Sequence, residues 1–226
     1  MTRYARLWHT ITAVVTIVAL VFQLWLALSG HRTLVTEGQP STRTTLVRFF
    51  SYFTILSNIL VAVTTSTLAL GSDRNSRLWR VLRMNAVVGI AVTAIVHWFF
   101  LRPLLDLHGN DYLADKLLHV VVPALAVVGW LVFGPRGRVQ RGDLLPSAIY
   151  PALYMVWTLV HGAASRWYPY PFTDVTEHGY PTVLVNAGAV IALLAALSAL
   201  MLAIDGRLPG AASPQSSGAG SGSPSR

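Results

Sequence analysis

The segment HGYPTVLVNAGAVIALLAALSALMLAI, residues 178–204, decides the fold, because it runs for 27 residues without a lysine, arginine, aspartate or glutamate. About 20 apolar residues are enough to cross the hydrocarbon core of a bilayer as an α-helix. Five further charge-free runs of 18 to 25 residues precede it, and the six runs together cover 135 of the 226 residues. The sequence therefore predicts an all-α, polytopic membrane protein, a bundle of six transmembrane helices, and it argues against a water-soluble fold.

The overall composition agrees with this prediction. Charged residues make up 12% of the chain and the mean hydropathy is +0.54, whereas a soluble domain carries about 25% charged residues. The net charge of +8 is better explained by loops that face anionic lipid than by binding of nucleic acid. The chain has no cysteine, which excludes disulfides and thiolate chemistry.

The basic residues of the loops predict the orientation of the chain. The predicted spans are residues 7–29, 49–70, 81–101, 117–133, 144–162 and 182–204. The loops and ends on the side of the N-terminus hold 11 of the 17 lysines and arginines, and the side richer in these residues is cytoplasmic. We therefore expect a multi-pass protein of the cell membrane with both termini in the cytoplasm and an uncleaved first helix.

Two regions of different composition define the domain organisation. Residues 1–205 hold all six predicted spans and show no internal repeat, so we expect one transmembrane domain. Residues 206–226 are rich in glycine, serine and proline and have too little apolar surface to order themselves. The sequence predicts a disordered cytoplasmic tail there.

Polar side chains inside the predicted spans gather near one face of the membrane. Six such residues, drawn from five spans, lie within about three helical turns of the predicted outer ends. They are Thr54, Asn58, His97, His119, His161 and Asn186. Because polar groups in a bilayer usually face the interior of the bundle, the sequence predicts a one-sided polar pocket and not a pathway across the membrane.

Within this set, one hydroxyl and one imidazole suggest nucleophilic catalysis. A threonine hydroxyl is a weak nucleophile that needs an adjacent base, and neutral histidine is the usual base near pH 7. Asp115 lies four residues before His119, on the same helical face, where its carboxylate would orient the ring. We expect Thr54 to be the nucleophile, and a separation beyond about 6 Å from His119 would exclude this chemistry.

The remaining polar residues are candidates for binding substrate. Three side chains could donate a hydrogen bond to a developing oxyanion: the amides of Asn58 and Asn186 and the indole of Trp157. The sequence does not rank these three donors. The other two histidines, His97 and His161, complete the predicted substrate-binding set. Each amide has the alternative role of joining helices by hydrogen bonds.

Two short motifs carry a resemblance to a known family. The run SYFTILSN at residues 51–58, and His119 followed four residues later by Pro123, resemble the androgen-induced-gene membrane proteins, which include the androgen-dependent regulator of tissue factor pathway inhibitor. Members of that family are multi-span threonine hydrolases that cleave fatty acid esters of hydroxy fatty acids. The resemblance implies catalytic roles for Thr54 and His119, no cofactor, and a membrane lipid or fatty acid ester as substrate. Ser51 stands where the family has a lysine.

A second stretch resembles a bacterial branch called the Pr-six-Pr membrane proteins. It lies between residues 162 and 180 and contains RWYPYPF at residues 166–172 and Asp174, and the resemblance extends over residues 5–205. Proline restricts the backbone and tyrosine and tryptophan favour the membrane interface. We therefore interpret this loop as a rigid interfacial turn, with a lid over the polar pocket as the alternative.

Two other functions stay open from the sequence. His97, His119 and His161 are three imidazoles on three helices, which would give Zn²⁺ three ligands and leave an open position for water. A non-enzymatic lipid-binding or transport protein is the other possibility. The natural substrate and the oligomeric state are not determined by the sequence.

Overall fold

The computed structural model describes residues 1–30 and 40–207, and across these residues the chain is helical with no β-strand. The predicted tail, residues 206–226, lies outside the described residues except for its first two. The helices are α1 (Arg3–Leu28), α2 (Thr42–Phe50), α3 (Phe53–Ala69), α4 (Arg77–Val96), α5 (Gly109–Lys116), α6 (Val122–Phe133), α7 (Leu144–Ser147), α8 (Ile149–Ser165) and α9 (Val175–Asp205).

Within residues 1–30 and 40–207, five helical segments are long and apolar enough to cross a membrane. They are α1, Arg77–Leu104 around α4, Gly109–Phe133 over α5 and α6, Arg141–Ser165 over α7 and α8, and α9. The pair α2 and α3 passes the same test together but is bent by 69°, so it provides a sixth segment if the bent pair is one span. The predicted all-helical class is confirmed, with five to six helices of membrane-spanning length.

The second predicted span differs from a single helix over residues 49–70. Ser51 and Tyr52 separate α2 from α3, because Ser51 Oγ donates a hydrogen bond to the Val47 carbonyl at 2.7 Å and Tyr52 has an extended backbone. An extended residue cannot continue the α-helical hydrogen-bond ladder. The chain therefore bends, and Thr54 lies in the first turn of α3 instead of more than a turn inside a continuous helix.

His97 and His119 each lie in a wide π-helical turn. One covers His97–Leu101 and the other Leu117–Val121, and a proline, Pro103 or Pro123, lies two residues beyond each. Proline has no N–H and its ring clashes with the carbonyl four residues earlier, which lies inside the wide turn in both cases. Such turns change the direction of side chains and are frequent at functional sites.

Helix α3 packs against α1 and α4. The loop between α8 and α9 closes over its N-terminal end. Tyr168 packs directly on Gly162, where a Cβ atom would clash with the tyrosine ring. At the other end of the loop, Asn186 Nδ2 donates to the Phe172 carbonyl at 3.0 Å. These two anchors hold Tyr170 over the start of α3.

Candidate active site

The hydroxyl of Thr54 and the ring of His119 are in direct contact. Thr54 Oγ1 lies 3.3 Å from His119 Nε2, within hydrogen-bond reach and well inside the 6 Å limit. Thr54 is buried and His119 is partly buried. The π-helical turn before α6 aims the imidazole at the N-terminal end of α3, so a hydroxyl and an imidazole from segments distant in sequence lie side by side.

Asp115 supports the far side of the His119 ring in two ways. His119 Nδ1 donates to the Asp115 backbone carbonyl at 3.1 Å, and Oδ1 of the Asp115 carboxylate lies 3.0 Å from the same nitrogen. Both contacts favour the tautomer with hydrogen on Nδ1, which leaves the Nε2 lone pair free to accept the threonine proton. Hydroxyl, imidazole and carboxylate therefore lie in the order of a catalytic triad.

The Asp115 carboxylate also contacts two basic side chains, those of His97 and Lys116. His97 Nε2 lies 3.2 Å from Asp115 Oδ1 and Lys116 Nζ lies 3.4 Å from Oδ2. The His97 and His119 rings stack with centroids 3.9 Å apart and planes inclined by 14°. His97 therefore contacts Asp115 through its ring nitrogen and His119 through ring stacking.

Tyr170 is a functional candidate that the sequence analysis did not single out. Its hydroxyl accepts a hydrogen bond from the Thr54 backbone N–H at 3.2 Å and lies 3.3 Å from Thr54 Oγ1. Burial raises the pKa of the Tyr170 phenol, so the group stays protonated and can donate to Thr54 Oγ1. The YPYP pattern marked this loop as unusual, but nothing in it distinguishes Tyr170 from Tyr168.

Two cavities meet at Thr54. The larger has a volume of about 160 Å³ and mixed lining, which includes Arg48, His97, Asp115 and His119. The smaller has a volume of about 50 Å³ and a mostly apolar lining from α4, α8 and α9, with Val190 and Leu194 among its walls. Because Thr54, Leu101 and Tyr170 line both, Thr54 borders a chamber of mixed lining and a mostly apolar chamber.

The other predicted binding residues take different positions. Asn58 Nδ2 donates to the carbonyls of Thr54 at 2.8 Å and of Leu118 at 3.4 Å, so this amide ties α3 to the turn that carries His119. His97 lines the larger cavity but is 1% exposed and contacts Asp115. Asn58 thus takes the helix-joining role.

Trp157, His161 and Asn186 are not gathered around Thr54. Trp157 is 46% exposed, stacks on His161, and donates from its indole nitrogen to Ser51 Oγ at 2.9 Å. Asn186 holds the Phe172 carbonyl. None of the three lines either cavity at Thr54, so they support the frame of the site and do not line it.

Searches against protein-family models, curated proteins and solved structures find no match to this chain.

Proposed function

We propose that the chain is an integral membrane hydrolase of lipid esters, with Thr54 as nucleophile, His119 as general base and acid, and Asp115 as the group that orients His119. The observation that carries this proposal is the 3.3 Å contact between Thr54 Oγ1 and His119 Nε2. The contact occurs at the junction of two cavities, in a chain with five to six helices of membrane-spanning length.

The proposed reaction passes through an acyl-threonine. His119 Nε2 takes the proton of Thr54 Oγ1 as the oxygen attacks the ester carbonyl carbon, and the tetrahedral intermediate collapses with breakage of the ester C–O bond. The alcohol leaves with the proton from His119. Water then attacks the acyl-threonine and gives a proton to His119. The bond between the acyl carbon and Thr54 Oγ1 breaks, His119 returns the proton to Thr54 Oγ1, and the carboxylic acid leaves.

Two features near Thr54 suit the stabilisation of the oxyanion. The Tyr170 hydroxyl lies 3.3 Å from Thr54 Oγ1 and keeps its proton, so it can donate to negative charge that develops beside the nucleophile. Thr54 is also in the first turn of α3, where the positive end of the helix dipole favours negative charge.

The two cavities and the helices of membrane-spanning length support a lipid ester as the substrate class. The apolar chamber accepts part of an acyl chain, while the mixed chamber accepts the polar ester and the alcohol part. A fatty acid ester of a hydroxy fatty acid has both parts. The charge distribution of the loops supports an arrangement with both termini in the cytoplasm and Thr54 near the outer leaflet of the cell membrane.

A metal-dependent hydrolase is the second candidate, supported by one specific observation. His97, Asp115 and His119 each offer a ligand atom, and these atoms all lie within 4.8 Å of one another, which suits Zn²⁺ with three protein ligands. His161, expected as the third imidazole, is not part of this group. The stacked rings favour the first candidate, because an ion bound by both imidazoles cannot lie in both of their nearly parallel planes.

A covalent probe combined with a chelator distinguishes the two candidates. A lipid-like fluorophosphonate should phosphonylate Thr54 Oγ1 with loss of fluoride, and mass spectrometry should map the label to Thr54 in the wild type. His97→Gln should lower turnover of a lipid ester by about 10-fold or less, because it removes only a contact to Asp115 and none to the substrate. The chelator 1,10-phenanthroline should have no effect.

The opposite pattern supports the metal site. Inactivation by the chelator that zinc reverses, together with a loss of more than about 100-fold in His97→Gln, would assign His97, Asp115 and His119 as ligands. An unlabelled Thr54 in active protein would count against the threonine mechanism by itself.

Tyr170→Phe tests the tyrosine hydroxyl separately. The substitution removes one oxygen while it keeps the ring that stacks on Phe172, and we expect kcat to fall by about 100-fold, the usual effect of one oxyanion donor. Tyr180→Phe is the matched control, because Tyr180 is 54% exposed and lines neither cavity at Thr54. Equal kcat values for Tyr170→Phe and wild type would remove Tyr170 from the mechanism.

A further inference from the structure

A separate cavity lies at the opposite end of α3 from Thr54. It has a volume of about 50 Å³ and is lined by residues of α1, α3, α4, α6 and α9, including His9, Thr65 and Arg83. Thr65 follows Thr54 by eleven residues, which is about 16 Å along an α-helix. The two sites are therefore distinct.

The Arg83 guanidinium and the Trp130 indole bring hydrogen-bond donors without acceptors to this cavity, and the His9 ring adds two nitrogens, of which one donates when the ring is neutral. Arg83 Nε and Nη1, Trp130 Nε1 and both ring nitrogens of His9 have no hydrogen-bond partner among the described residues. All three side chains line the cavity and none is more than 9% exposed. The Thr64 and Thr65 hydroxyls donate to carbonyls of their own helix, and among the described residues they do not accept a hydrogen bond from Arg83, Trp130 or His9.

The ion pairs around the cavity leave Arg83 only partly neutralised. Asp73 forms a two-pronged pair with Arg138 and also lies 3.3 Å from Arg83 Nη2, so one carboxylate serves two guanidinium groups. Arg80 is paired with Asp143. Asp205 Oδ2 accepts hydrogen bonds from the backbone N–H groups of Arg138 and Val139. Asp205 does not line the cavity.

We infer that this cavity binds the phosphate group of an anionic lipid or free phosphate through Arg83, Trp130 and His9. A buried donor left unpaired costs about 1–3 kcal/mol, and a phosphate supplies several acceptor oxygens to donors that converge on one space. A cavity of about 50 Å³ exceeds the 10–15 Å³ that one water requires and has room for one tetrahedral oxyanion.

The depth of the site suits a lipid headgroup. Arg83 lies six residues after the first residue of α4, or about 9 Å along the helix. In a membrane-inserted chain this level is near the boundary between headgroups and hydrocarbon. The apolar walls, which include Met84, Val139 and Met201, suit the glycerol and first acyl carbons of the same molecule.

The test compares ligands that differ only by phosphate. The full chain in an uncharged detergent is titrated with dioctanoyl phosphatidic acid, with dioctanoylglycerol and with inorganic phosphate, and binding is followed by native mass spectrometry and thermal unfolding. We expect Arg83→Gln to raise the dissociation constant for phosphatidic acid at least about 10-fold and Trp130→Phe about 3- to 10-fold. Arg77→Gln, whose side chain bonds the Gly142 carbonyl, should stay within about 2-fold.

The outcomes separate the sources of the phosphate and can overturn the site. Binding of phosphatidic acid but not inorganic phosphate identifies a lipid headgroup, and the reverse identifies a soluble anion. Dioctanoylglycerol that binds as well as phosphatidic acid, or wild-type binding by both Arg83→Gln and Trp130→Phe, would show that this cavity does not bind phosphate. If Arg83→Gln does not fold, Trp130→Phe decides, because it removes one N–H and no charge. None of these measurements depends on ester hydrolysis.

Discussion

Thr54→Ala is expected to lower kcat for lipid-ester hydrolysis by about 10⁴-fold or more, because the variant lacks the oxygen that attacks the carbonyl. Binding should change little, since the methyl group that remains still lines both cavities. The measurement is release of free fatty acid from a panel of lipid esters by purified protein in micelles. The fluorophosphonate label should disappear in the same variant.

Two further variants separate lost chemistry from lost folding. Thr54→Ser restores the hydroxyl, and we expect it to recover most of the activity that alanine removes. Thr16→Ala deletes a buried hydroxyl in α1 that donates to the Thr12 carbonyl at 2.6 Å, and it should keep wild-type turnover. A folded Thr54→Ala protein with unchanged kcat would eliminate the threonine nucleophile and leave the metal site as the stronger candidate.

The helical class and the approximate spans can be predicted because charge-free runs are a strong signal. The contact between Thr54 and His119 can be anticipated from depth, since each lies close to a charged residue, Arg48 or Lys116, near an end of its predicted span. Depth does not determine the direction in which a side chain points around its helix. The sequence places His161 at a depth similar to that of Thr54, yet His161 stacks on the exposed Trp157 of α8 and lines neither cavity at Thr54.

The bend between α2 and α3 had no recognisable signal in the sequence. Neither glycine nor proline occurs in residues 49–58, and the break depends on Ser51 bonding back to Val47 and on Tyr52 packing against Trp167 and Tyr170. Such tertiary contacts override local propensity. For the same reason, the position of Tyr170 depends on the anchors at Gly162 and Asn186 and is not encoded locally.

The role of Asp115 shows what spacing can and cannot predict. An aspartate four residues before a histidine predicts the contact that the structure has, with 3.0 Å between Oδ1 and Nδ1. It does not predict that the Asp115 carbonyl also accepts from Nδ1, because this bond lies at the start of the π-helical turn that precedes Pro123. The backbone bond can hold the histidine tautomer even without the carboxylate.

His119→Ala is expected to reduce kcat about 10⁴-fold, close to the loss in Thr54→Ala, since a hydroxyl without a base and a base without a hydroxyl are equally inactive. The double variant should be no slower than either single variant, because residues that act as one unit are not additive. His108→Ala is the control, as His108 is exposed in the loop before α5.

Added imidazole provides the stronger test of the same residue. Removal of the His119 ring enlarges a cavity that already measures about 160 Å³, so free imidazole can enter and take the proton of Thr54 Oγ1. Turnover by His119→Ala should therefore rise with imidazole concentration and saturate, whereas Thr54→Ala should not respond. Rescue of this kind cannot arise from restored packing alone, because the acceptor nitrogen must lie within reach of the hydroxyl. If zinc and not imidazole restores His119→Ala, the ring acts as a metal ligand and the threonine mechanism is wrong.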